Sequence, residues 1–435
     1  MTADTPAYLS GHLAPVPDET EAHDLPVTGT LPPELTGRYF RNGPNPLPGQ
    51  DPGHWFAGQG MLHGIRLRDG RAEWYRNRWV RTRAMDGVPL VDENGTVDRT
   101  AVTANTHVIP HADKIYALVE SGLPYEVTPE LETVGPCDFG GRLTTAMTAH
   151  PKADPRTGEL LFFGYGFAPP YLTYHRLSAS GELVESREIA VPGPTMTHDF
   201  AITANHVVWL DLPVVFDLSL TGRGMPYRWD DDYGARIGVM PRTPGAPVRW
   251  FDVDPAYVFH VGNAYEDEQG RVVLDAVRYS PRSFQETWGR MGGGSAARRQ
   301  VPVLHRWLLD PATGQVRETP LDDRMVEFPT IDEERTGLAN RHVYAVGQGE
   351  LIKYDTRTGA TRTFTTGEDT RPGEAVFVPA ADATAEDDGW LLSLLSTPGS
   401  AELLVLDAHD LSRVATIHLP RRVPAGFHGH WIPDA

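Results

Sequence analysis

The sequence predicts an all-β protein, a seven-bladed β-propeller, on three observations. Short apolar runs bounded by Gly, Asp, Pro or Asn recur along the chain: Lys114–Glu120, Leu160–Gly164, His206–Leu210, Arg271–Val277, Pro302–Leu309, Arg341–Val346, Trp390–Leu395 and Glu402–Asp407. They are short and rich in β-branched and aromatic residues, as strands are, and long helical periodicity is nearly absent. A turn of one form also repeats between such runs, at Asp154–Leu161, Ser178–Val184, Asp310–Val316 and Asp355–Thr361. Each reads as a hairpin whose glycine supplies a positive φ. Finally, no linker divides the chain. Its 435 residues give seven elaborated blades of about 62 residues each, where simple propeller repeats run about 40–50. A pair of β-sandwiches is the competing all-β reading, and it calls for a linker near the middle that is not visible.

Length alone suggests two or three domains, but closed all-β folds run long as single units. The expectation is therefore one domain over residues 1–435, with residues 1–35 as a polar, Pro-rich extended arm. The 43 Gly and 38 Pro are spread along the chain and read as turns. Arg290–Ser295 (RMGGGS) is expected to be a mobile loop within the domain, and the acidic stretch Ala380–Gly389 a solvated loop.

The formal net charge of −19 repels a polyanion and argues against nucleic acid or a basic membrane-docking patch. Contact with a membrane through an apolar patch stays open, and Leu210–Leu220 is the candidate stretch. The N-terminal sequence lacks the basic-then-apolar block of a secretory signal, and no apolar run is long enough to span a bilayer. A cytoplasmic location is expected. Cys137 is the only cysteine, against 17 histidines. A transition metal in this chain must therefore be held by imidazole and carboxylate.

Most of those histidines read as solvated or bound to a backbone carbonyl, His107 among them. Four sit at strand edges or turns beside small or aromatic residues: His150 in TAHPK, His198 in MTHDF, His260 in VFHVGN and His428 in GFHGHW. Their intervals of 48, 62 and 168 residues approximate one, one and three blades. Equivalent positions of successive blades point at the propeller axis, where four distant histidines can meet. His430 is the nearest rival to His428, since residues two apart on a strand share a face.

These motifs, with Gly37–Pro46 (GRYFRNGPNP), Gly58–Gly64 (GQGMLHG) and Phe328–Asp332 (FPTID), resemble in order and completeness the carotenoid cleavage oxygenases. That family includes the stilbene-cleaving dioxygenases and the retinoid isomerase of the eye. The resemblance runs from Gly37 to Trp431. It implies a seven-bladed propeller with a loop cap over an axial Fe(II), one per chain, held by His150, His198, His260 and His428. It also implies three glutamates that orient ligand imidazoles: Glu120 for His198, Glu327 for His260 and Glu374 for His428, with none for His150. The chemistry is consistent, because an imidazole that binds metal through one nitrogen needs its other N–H oriented, and a carboxylate does this while raising basicity. His54 and His63 are read as structural.

The implied reaction is addition of O2 across a C=C bond of a hydrophobic conjugated alkene, with scission to two carbonyl products. No G-x-S-x-G motif is present, and the only lysines are Lys114, Lys152 and Lys353. Phe56, Tyr125, Phe259 and Phe427 are candidates for lining a substrate tunnel, with core packing as the ordinary alternative. A carotenoid or apocarotenoid is the favoured substrate. A stilbene or other aryl alkene is the runner-up, because Val119 stands where stilbene-cleaving members are expected to carry lysine. A non-catalytic binding propeller with a vestigial metal site remains the alternative of another class. A Ca2+-dependent propeller hydrolase is disfavoured, since Ca2+ takes oxygen ligands and not four imidazoles.

Overall fold

Four-stranded antiparallel meanders follow one another along the chain and close into a ring of seven. A computed structural model describes residues 5–222, 224–293 and 299–434. Gly294 and Ser295 of the expected mobile loop lie outside the described residues. Blade 1 contains Gly37–Pro44, Gly60–Arg68 and Arg71–Trp79. Blade 2 runs from His107–His111 to Thr133–Pro136, blade 3 from Lys152–Ala153 to Leu183–Glu188, and blade 4 from Ala201–Ile202 to Arg249–Asp252. Blade 5 runs from Tyr257–Glu266 to Val316–Pro320, and blade 6 from Glu327–Thr330 to Thr361–Thr365. Blade 7 is built on Gly389–Ser396, Ala401–Asp407 and Arg413–His418, with Arg371–Pro372 and Val376–Pro379 both paired to the first of these.

The apolar runs read from the sequence form inner and middle strands, buried on both faces. Trp209, Trp307 and Phe162 are among the largest fully buried side chains, and apolar clusters fill the spaces between blades. The repeated turns have the predicted geometry. Gly158, Gly181, Gly314 and Gly359 carry φ of 70°, 82°, 80° and 75°, a region that costs a residue with a Cβ. In three of them an aspartate side chain caps the turn by accepting a backbone N–H, as Asp154 Oδ1 does from Arg156 at 2.9 Å.

Both chain ends take part in closure. The C-terminal strand Gly429–Pro433 is the innermost strand of blade 1 and pairs with Gly37–Pro44, with Phe40 opposite His430. Residues 1–35, read as an arm, carry two strands that are built into the ring. Thr20–His23 pairs with Arg71–Trp79 in blade 1, and Val27–Gly29 with Arg413–His418 in blade 7. The C-terminal strand is also anchored by charge, because the buried Arg66 guanidinium grips Asp434 through two N–H groups and Arg38 adds a bond at 3.0 Å.

Two connections depart from the simple meander, and both leave the blades at the end where the innermost strands begin. Blade 4 inserts a hairpin of Val214–Phe216 and Tyr227–Trp229. Blade 5 inserts the helix Pro281–Met291, which sequence periodicity did not reveal. Ser280 caps it by accepting the Ser283 N–H at 3.1 Å, Pro281 occupies its first turn, and Phe284 and Thr287 are its buried face. The cap and proline were visible signals, but a helix of three turns has too few apolar positions to show a period. Among the described residues no helix is long and apolar enough to cross a membrane.

Asp434→Ala leaves Arg66 buried beside Glu73 alone. It is expected to destabilise the protein by about 2–3 kcal/mol, less than a fully buried pair because Asp434 is 29% exposed. A lowered urea midpoint with unchanged m-value supports closure through this pair, and an unchanged midpoint contradicts it.

Candidate metal centre

The innermost strands all begin at one end of the ring, and the residue at or beside each beginning reaches the axis. His150 and His198 precede the first strands of blades 3 and 4. His260 lies within that of blade 5, where a register shift between Val258 and Val261 re-aims the side chain. His428 immediately precedes the innermost strand of blade 1. Blades 6 and 7 fill the 168-residue interval with glutamates: Glu327 opens the first strand of one, and Glu374 lies between the two short inner strands of the other.

The structure brings the four histidines together. Nitrogens of His150, His260 and His428 lie within 4.8 Å of one another. His198 joins them, its Nε2 standing 3.1 Å from Nε2 of His150 and 3.4 Å from that of His260. His430 stands aside, with its Nδ1 3.5 Å from Glu333.

Each expected glutamate takes its expected partner. Glu120 binds Nδ1 of His198, Glu327 binds Nδ1 of His260 at 2.5 Å, and Glu374 binds Nδ1 of His428 at 2.9 Å. Among the described residues no carboxylate is bonded to His150. Each carboxylate has further donors that sequence reasoning missed. Tyr165 donates to Glu120 Oε2 at 2.5 Å, Tyr279 to Glu327 Oε1 at 2.5 Å, and the Phe328 and Gly429 N–H groups to Glu327 and Glu374. A Cβ on Gly429 would lie 2.8 Å from Tyr39 Oη, so the residue that presents this N–H has no room for a side chain.

Electrostatics follow from burial. Burial and the neighbouring imidazoles hold His150 well below the ordinary histidine range. Burial also lowers His260, against the pull of Glu327. For His198 burial acts in the same sense, but the charge and hydrogen bond of Glu120 outweigh it and raise the value. Burial opposes ionisation of Glu374, but His428, His107 and the Gly429 N–H overcome it and hold the carboxyl down to about 2. The Glu374 carboxylate is therefore charged.

This donor set fits a cation. With Nδ1–H committed to carboxylates, the neutral rings of His198 and His260 turn their Nε2 lone pairs toward each other. Two lone pairs about 3 Å apart repel unless a proton or metal ion lies between them. Nitrogens bound side by side to one metal at about 2.1 Å stand about 3 Å apart, close to the separations seen. Three carboxylates around the ring offset a dication.

Aromatic rings flank the histidines. Phe328, at φ 52°, stacks on His260 at 5.0 Å and meets His428 edge-on at 5.3 Å. Phe259 meets His198 at 5.3 Å and stacks near Trp288 of the inserted helix at 6.4 Å. Trp288 lies 6.1 Å from Phe56, and Phe56 5.4 Å from Phe427. Phe56, Phe259 and Phe427 thus belong to one aromatic group beside the site. Tyr125 does not. It is 1% exposed in the apolar core beside blade 2, and its hydroxyl donates to the Thr100 carbonyl at 2.6 Å, so it is a packing residue. The candidate apolar patch is also mostly interior, with Leu210, Leu212, Val214 and Val215 buried. Leu218 at its end is 75% exposed, and Phe216 stacks on the exposed Phe167 at 5.4 Å.

A family profile described as retinal pigment epithelial membrane protein (RPE65) matches residues 13–433. The chain belongs to the carotenoid cleavage oxygenase family. It is 43% identical to a carotenoid cleavage oxygenase of Mycobacterium tuberculosis, over 98% of this chain and 97% of that one. Its fold matches the crystal structure of Pseudomonas brassicacearum lignostilbene dioxygenase with a TM-score of 0.88 at 31% identity, covering 99% of each chain. Cobalt-substituted Synechocystis ACO matches at 0.85 and 27%, covering 97% of each chain. The chain is an enzyme of the dioxygenase type, which displaces the reading as a non-catalytic propeller.

The depressed value of Glu374 has a consequence for stability. A carboxyl lowered on folding adds stability above its unfolded value of 4.5, and that stability is lost as pH falls toward 2. In metal-free protein, Glu374→Gln is expected to lower stability near pH 6 by on the order of 3 kcal/mol, and the gap to close below pH 4. A gap that persists unchanged at pH 3 contradicts the pairing.

Proposed function

We propose that the chain is a non-heme iron(II) dioxygenase that cleaves one C=C bond of a carotenoid or apocarotenoid with O2. The observation that carries this reading is a cluster of His150, His260 and His428 with His198 against the first two, three of the four rings held at Nδ1 by a carboxylate. His150, His198, His260 and His428 would hold the metal, one iron per chain. Imidazole suits ferrous iron, and four protein ligands leave two positions of an octahedron open. Bound there, the iron supplies the site at which O2 is activated.

The remaining work belongs to the chain. Glu120, Glu327 and Glu374 keep the Nδ1 protons in place and direct the opposite nitrogens inward. Tyr165 and Tyr279 occupy the second oxygens of two of these carboxylates, so neither can turn toward the metal. Phe328, Phe259 and the rings beyond it exclude water and present an apolar surface to a polyene, while Phe56 and Phe427 flank the approach. The atom balance is simple. One C=C bond and one O2 become two C=O groups, one oxygen in each product, with no external reductant.

A stilbene or other aryl alkene is the second reading, favoured by the likeness to lignostilbene dioxygenase. The sequence relative named for carotenoid cleavage is the more similar of the two, at 43% against 31% identity, and Val119 supplies no cation for a phenolate.

Iron-loaded protein is to be incubated with separate apocarotenoids and stilbenes under 18O2, with products identified by mass. The expected result is an aldehyde or ketone pair from an apocarotenoid, and loss of turnover by more than about 100-fold in His198→Ala. Cleavage of stilbenes alone selects the second reading. Intact substrate throughout, with iron bound, contradicts both.

A further inference from the structure

We propose that His107 is the positioning residue of His150, fixing through the backbone the direction from which that side chain enters the site. The inference rests on the metal-site reading above. His150 is the one ligand to which no carboxylate is bonded among the described residues, so its placement rests on the backbone that carries it. His107 opens the innermost strand of blade 2. This is the position from which the other six blades supply a ligand or its glutamate.

Its contacts fit that place. Nδ1 of His107 lies 2.9 Å from the carbonyl oxygen of Ala149. A carbonyl only accepts, so His107 carries the proton on Nδ1 and donates it. The next N–H, that of His150, donates to Thr148 Oγ1 at 3.1 Å. The Ala149 carbonyl and the His150 N–H belong to one planar peptide unit. Held at both ends, that plane cannot rotate, and the direction in which His150 leaves the backbone is fixed.

His107 is itself anchored. Its carbonyl accepts from Asn42 Nδ2 at 3.0 Å, the same amide reaches the Ala104 carbonyl at 2.9 Å, and the Asn42 N–H donates to the His428 carbonyl at 2.9 Å. The His107 ring lies 5.0 Å from that of His428 and 6.0 Å from that of His150. One asparagine thus ties blade 1, which carries His428, to the strand that steadies His150.

The test uses Co(II) as the probe on metal-free, full-length protein, reading affinity by calorimetry and ligand geometry by the visible d–d spectrum. His107→Asn keeps a donor where Nδ1 stands, and His107→Leu keeps bulk without one. The leucine variant is expected to bind Co(II) about 10–100-fold more weakly, the usual cost of losing a group that orients a ligand, with an altered spectrum. The asparagine variant is expected to stay within about threefold of wild type and to keep its spectrum. His107→Phe, which keeps a ring and removes the donor, is expected to weaken binding likewise and carries the test if the leucine variant does not fold, wild-type affinity in it counting against the proposal. Wild-type affinity and spectrum in the leucine variant, or equal losses in the leucine and asparagine variants, overturn the proposal. Wild-type protein that binds no Co(II) overturns the metal reading and this inference with it, an outcome distinct from either.

Discussion

A neutral imidazole has one N–H and one lone pair, and everything at this centre follows from which way round each ring is held. Carboxylates at Nδ1 of His198, His260 and His428 fix the tautomer, so the lone pairs point inward. Arranged this way the rings repel one another, and burial removes the water that would screen them. The fold has to supply the force that keeps them converged. It does so with charge-assisted hydrogen bonds, which are stronger than neutral ones, and with a ring of blades that cannot open without breaking its closure. A cation converts the same geometry from strained to favourable.

The propeller makes this arrangement accessible to a sequence in which the four histidines lie far apart. Each blade begins at the axis, and each beginning delivers one backbone position there. Once seven blades are closed, seven positions face one another whatever the loops between them do. The unequal intervals from His150 to His428 reflect insertions such as the blade 4 hairpin and the blade 5 helix. Those insertions do not move the axis. They leave the blades at the site end, and the helix brings Trp288 beside the aromatic group there. Closure by both termini, with Arg66 on Asp434, holds the ring at the blade that carries His428.

Legibility in the sequence followed local strength of signal. Middle strands such as Leu160–Tyr165 and Ala401–Asp407 are buried on both faces and stood out as apolar runs. The four histidines and three glutamates of the candidate site were legible only through a whole-chain resemblance, since one histidine among 17 says little. Innermost strands were poorly legible because they are short and irregular: Lys152–Ala153 and Ala201–Ile202 have two residues each. Tyr165, Tyr279 and His107 were missed because their roles depend on partners 45, 48 and 42 residues away. For His107 one signal existed, its place one blade before His150. Tyr125, a tunnel candidate with core packing as the ordinary alternative, takes that alternative, its hydroxyl satisfied by the Thr100 carbonyl within the apolar core.

On the proposed function, four imidazoles and no carboxylate bind one metal ion. X-ray absorption at the iron edge of anaerobically loaded protein tests it most directly. The expected result is one iron per chain with four nitrogen scatterers at about 2.1 Å, carrying the outer-shell pattern of imidazole rings. Fewer than three imidazoles, or a carboxylate oxygen among the protein ligands, contradicts it.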